Sequence, residues 1–224
     1  MSLIISQPSG PIRPVIEALY DIEILGGFVR SLEASAANQL RDLGRASLEV
    51  SPDGHDVFRV FHGLDGSTWH LETLFADYFP NLQRTAAFLV VWSCFEHHLN
   101  DLCFEVASAE KLSLLVKDLK GTGVIRACTY LQDVARLPLD LSDSQWRDEL
   151  VPLQKLRGFL AHTDAHLQDH HKAERAYAEA SDFIEVSDGT LKLSVDFIGH
   201  VLKNQAGWLR ILQVVVTDSY SNGA

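Results

Sequence analysis

Six large apolar residues, Phe88, Trp92, Phe95, Leu99, Leu102 and Val106, recur every three or four positions over five turns, and this run constrains the fold more than any other feature. That spacing puts all six on one face of an α-helix, and a face of this size must be covered by other elements. A central core helix is therefore expected from Asn81 to about Ala107. Upstream, Ile16, Leu19, Ile22, Phe28, Leu32, Ala36, Leu40 and Leu43 predict a second long helix from Val15 to about Gly44, with Gly26-Gly27 as a possible bend. Downstream, Ile198, Val201, Leu202, Leu209, Leu212 and Val216 predict a last helix, with Ser194 as its cap.

Shorter elements fill the gaps. Ser47 to Val50 and Val57 to Phe61, joined by Ser51-Pro52-Asp53-Gly54, read as a β-hairpin, and Phe183 to Leu193 as another around Asp188-Gly189. A short helix is expected from Thr68 to Tyr78, ending near Pro80, and another from Val124 to Ala135, stopping around Pro138. After Ser142, Leu150, Leu153, Leu156, Leu160 and Leu167 mark a helix whose polar side carries His162, His166 and His170. The expected fold is mainly α, an up-and-down bundle of long helices with an N-terminal helical extension and one or two small β-hairpins. Residues 1–14, with three prolines, form an irregular leader; residues 15–79 pack on the bundle; residues 80–220 are the helical domain itself.

Composition excludes several classes. With 46% hydrophobic residues the chain is not a disordered polymer. Its longest apolar run, Ala86 to Phe95, is cut off by Glu96, short of the about 20 residues a membrane span needs. The N-terminal stretch has no basic region ahead of an apolar block, so it does not read as a secretory signal, and a cytoplasmic location is the expectation. Cys94, Cys103 and Cys128 form no C-x-x-C pair and read as small core residues. Neither a phosphate loop of the G-x-x-x-x-G-K-S/T type nor a G-x-S-x-G elbow occurs, and no cofactor is expected. The net charge, 19 − 30 = −11, opposes attraction to a polyanion. RNA binding would have to use the one basic stretch, Lys111, Lys117, Lys120 and Arg126.

Three sets of residues carry candidate chemistry. Glu96 falls close to the buried stripe of the central helix, where a carboxylate must find a partner. Arg157 and His162 lie five residues apart on a helix whose leucines face inward. His162, His166 and His170 are spaced for one helical face and could, with Asp169 or His171, hold a metal ion, but a solvated polar face of a histidine-rich chain explains them and no metal site is expected.

Leu156-Arg157-Gly158-Phe159-Leu160-Ala161-His162, preceded by Glu96-His97-His98-Leu99-Asn100-Asp101 and followed by the second hairpin and last helix, resembles the HEPN superfamily. Its members are small helical domains with an R-x4-6-H motif on a late helix, and the resemblance spans roughly residues 78 to 218. It implies a HEPN-like bundle that dimerises with the two motifs facing each other and, in many members, cleaves RNA without a metal, in toxin, phage-defence or RNA-processing settings. Arg157 and His162 match the ends of the motif, and Glu96 loosely matches an acidic position on an earlier helix. His162 would move protons and Arg157 would stabilise charge on the phosphate. At a spacing of five the two side chains diverge by about 140°, so one straight helix cannot aim both at one atom, whereas a two-fold interface can. Two departures stand out. Gly158 follows Arg157 where the motif commonly has Asn or Asp, and Asp164 occupies the position of a Tyr that, in some HEPN toxins, a partner nucleotidyltransferase modifies. The alternative is a catalytically silent HEPN-like module for dimerisation and recognition, with an antitoxin or regulatory protein as partner.

Overall fold

The computed structural model describes residues 10–50, 54–143 and 146–221; the first nine residues of the leader and Ser51 to Asp53 of the first turn lie outside them. The fold is mainly helical, 67% helix and 10% strand, a helical bundle with two small antiparallel sheets.

Helix α1 (Arg13–Leu43) opens on Pro14, whose missing N–H is unneeded in a first turn, and runs unbroken through Gly26-Gly27. It lies antiparallel to the central helix, as three pairs show: Arg13 to Glu105, Asp21 to His98 and Glu33 to Arg84. Strands β1 (Ser47–Val50), β2 (Val57–Phe61) and β3 (Leu64–Asp65) form the first sheet in sequence order. A small apolar cluster of Leu43, Leu71 and Phe75 fastens it to the helices, with Phe75 edge-on to both Phe61 and Phe79.

Helix α2 (Leu71–Thr73) passes through a wide π-helical turn, Leu74–Tyr78, straight into the central helix α3 (Phe79–Ala109). Pro80 therefore does not end a helix. It sits in the first turn of α3, where a residue without an N–H costs little, and the wide turn before it carries the chain through. On α3, Phe88, Trp92, Phe95, Leu99, Leu102 and Val106 are all buried, and Phe88 and Trp92 pack with Phe95 and Phe197 at ring separations of 5.2 to 5.9 Å. Each such side chain contributes about 1.5–3 kcal/mol through its burial.

Helix α4 (Gly123–Thr129) continues as a π-helical turn to Val134, and a similar turn, Trp146–Leu150, leads into α5 (Val151–His162). Helix α5 stops at His162, because Thr163 is already extended. His166 and His170 are thus on the following loop, and the periodic histidine face does not form. The leucine at 167 misled the period: it is buried from the loop, whose backbone bonds to Gly189. Helix α6 (Lys172–Ala180), which the sequence reading leaves out, follows. Strands β4 (Ile184–Ser187) and β5 (Thr190–Leu193) turn at Asp188-Gly189, both at positive φ, as a tight hairpin requires. Helix α7 (Phe197–Ser221) packs on α1 and α3; Ser194 does not cap it, its hydroxyl being buried without a partner. Trp92, Trp146 and Trp208 are core residues, whereas Trp69 is half exposed. Among the described residues no helix is long and apolar enough to cross a membrane.

Candidate functional site

Trp92 and Glu96 are one turn apart on α3, so the indole and the carboxylate share a face. The indole N–H donates to Glu96 Oε1 at 3.1 Å and is shared with Gln154 Oε1 at 3.3 Å. Gln154, on α5, also accepts the backbone N–H of Val124 at 3.0 Å, which ties the start of α4 to the same cluster. Arg157 lies one turn beyond Gln154, and its Nη2 is 3.9 Å from Glu96 Oε2. At that length the contact is electrostatic rather than a hydrogen bond. The Arg157 Nε is buried without a partner, so the guanidinium keeps donor capacity in reserve.

His162 stands elsewhere. It is exposed at the end of α5 and lines a groove of about 760 Å³ together with Tyr78, Leu82, Ala86 and Leu89 of the neighbouring helix. Neither Arg157 nor Glu96 lines this groove. Five residues along α5 separate His162 from Arg157 by about 7.5 Å of rise, and Glu96 lies about 10 Å beyond Leu89 along α3. Within one chain the fold thus joins Arg157 to Glu96 and holds His162 apart. Beside His162 the groove presents two exposed apolar side chains, Tyr78 at 58% and Leu82 at 54%.

Gly158 faces open space, where an added Cβ would meet nothing within 4 Å. Of the basic stretch, Lys111, Lys117 and Lys120 are exposed on the connection between α3 and α4, and Arg126 is half-buried on α4, one turn after Gly123. None of the four makes an ion pair with Glu96, whose charged partner is Arg157. Among the described residues, no group of three or more His, Cys, Asp or Glu side chains is placed to hold a metal ion. Two cysteines are shielded: burial pushes the Cys103 thiol up, and that of Cys128 up to about 12.

Three residues of this cluster escape a sequence reading. Trp92 counts as core by its period, Gln154 is a polar residue hidden between leucines, and Gly123 looks like a simple helix break. Only the neighbourhood of Glu96 gives them a role. Comparisons with family models, with curated proteins and with solved structures return no match.

Proposed function

We propose that this protein is a HEPN-like, metal-independent endoribonuclease that acts as a homodimer, with Arg157 and His162 of both chains meeting in one composite site. The observation that carries the reading is the placement of α5: Arg157 is drawn against Glu96, while His162 borders the exposed apolar side chains of Tyr78 and Leu82. Exposed apolar side chains at the edge of a groove are a place where two chains can associate. Two-fold pairing across it would bring the His162 side chains towards one another, which a single helix cannot do with Arg157.

In the reaction, the imidazole of one His162 takes the proton of a ribose 2′-hydroxyl and the other returns a proton to the leaving 5′-oxygen. Arg157 donates to the phosphate oxygens as charge develops there. Glu96 orients the guanidinium between turnovers. Lys111, Lys117, Lys120 and Arg126 supply the local positive charge that an acidic chain otherwise lacks.

Purified protein is expected to cleave RNA equally well with and without EDTA. Arg157→Ala and His162→Ala should each reduce cleavage about 100-fold or more while leaving the oligomer folded, as loss of a general acid-base group or charge-stabilising donor does. Cleavage undiminished in both variants would overturn the reading. A second reading, a catalytically silent module that recognises an antitoxin or regulatory partner, is favoured by Gly158, which leaves bare the position next to Arg157. It predicts dimers without cleavage.

A further inference from the structure

We infer that Gln154 and Gly123 are positioning residues for Glu96, an inference that rests on reading Glu96 as part of the Arg157 site. Among the described residues Gln154 is one of two buried polar side chains, and unlike Gln205, whose Nε2 lacks a partner, it has its oxygen fully bonded. Its Oε1 has two lone pairs, and both are engaged, by Val124 N–H at 3.0 Å and Trp92 Nε1–H at 3.3 Å. The indole has a single proton, which it divides between Gln154 and Glu96 Oε1 at 3.1 Å. Gln154 thereby sets how firmly Glu96 is held. While the proton is shared, Oε1 is located but only partly bonded, and Oε2 remains turned to Arg157.

Gly123 closes the cluster from the α4 side. Its φ is +56°, and a Cβ built there would overlap both Glu96 Oε1 and Gln154 Oε1. Any side chain at 123 therefore drives the two oxygens apart. Gly121 provides an internal control, since its φ is +100° but its Cβ would meet only Arg126 Cβ, at an ordinary 3.7 Å. Gly121→Ala carries backbone strain without touching the carboxylate.

The test follows the Trp92 indole resonance in ¹⁵N-labelled full-length chain, assigned through Trp92→Phe. In Gln154→Met, which keeps the volume and removes the oxygen, the indole proton passes wholly to Glu96 and its signal moves downfield. That movement is lost when Glu96→Ala is added. In Gly123→Ala the Trp92 to Glu96 bond breaks and the signal moves upfield, whereas Gly121→Ala leaves it in place. Should Gly123→Ala fail to fold, the Gln154→Met spectrum decides alone. A Trp92 signal unmoved by Gln154→Met overturns the inference. With RNA as substrate, Gly123→Ala, which displaces Glu96, should lower kcat about tenfold at nearly constant KM, the effect of a misplaced positioning group. Wild-type protein that does not cleave RNA refutes the ribonuclease reading instead, and the indole shifts still settle the role of Gln154.

Discussion

Gly158 occupies the interior of α5 with nothing over its Cα, so it combines the backbone entropy cost of glycine with no packing reason for it. Gly158→Ala is expected to raise the unfolding free energy by about 0.5–1 kcal/mol, read as a higher urea midpoint at unchanged slope. A loss of stability would mean that the surface over this residue is occupied in the folded assembly. Arg84 is the opposite kind of residue. Its guanidinium grips both oxygens of Glu33 at 2.7 Å and donates to the Leu193 carbonyl at 3.1 Å, with both side chains more than four-fifths shielded. Arg84→Met leaves the Glu33 carboxylate unpaired in that setting and should cost about 2–3 kcal/mol, less than a fully buried pair. A melting temperature within a degree of wild type would show the pair to be ornamental.

At the level of elements, the β4–β5 hairpin is held to α3 by two side chains, Arg84, through the Leu193 carbonyl, and Asn81. Asn81 donates from Nδ2 to the Leu191 carbonyl at 3.1 Å and accepts the Leu193 N–H at Oδ1 at 2.8 Å, the reach of a backbone strand supplied by an amide. Asn81→Ala strands both groups and should cost about 1–3 kcal/mol. Amide exchange at Leu193 is the measurement; protection there unchanged from wild type would refute the role. The hairpin itself was legible, because Asp-Gly between alternating apolar residues admits few other structures. The end of α5 was not. Leu167 kept the helical rhythm, yet it fills the core from a loop whose backbone bonds to Gly189 and Leu191 of the distant hairpin, contacts that no helical period encodes.

For the molecule as a whole, three shielded phenols make stability depend on pH in the alkaline range. Tyr130 and Tyr177 are pushed up by burial, and Tyr220 is pushed up to about 12 by burial and then by Glu110. The unfolded chain gives up these protons near the ordinary value of 10, the folded chain later. Folding is therefore favoured below pH 10, and this part of stability is lost as pH rises from 10 towards 12. Native phenolate absorbance should lag that of the denatured chain across this range; superimposable titrations would contradict the packing of these three residues. If the proposed dimer forms across Tyr78 and Leu82, Leu82→Arg should convert it to monomer at unchanged melting temperature, by sedimentation at micromolar concentration. A dimer that survives the substitution uses some other face.

Sequence by itself determined the central helix of the bundle, because a buried stripe of Phe88, Trp92, Phe95, Leu99, Leu102 and Val106 is a local, periodic requirement that only a helix satisfies. It also singled out Glu96 as a carboxylate needing a partner. Only the tertiary structure decided which partner. Glu96 meets Trp92 from its own helix, but Gln154, Gly123 and Arg157 reach it from α4 and α5, 27 or more positions away in the chain, and no period in a sequence encodes such distances. For His162 the spacing already set a divergence of about 140° from Arg157, and only the packing of α5 on α3 decided what each side chain meets, Glu96 for Arg157 and the groove at Tyr78 and Leu82 for His162, because those neighbours come from a distant part of the chain.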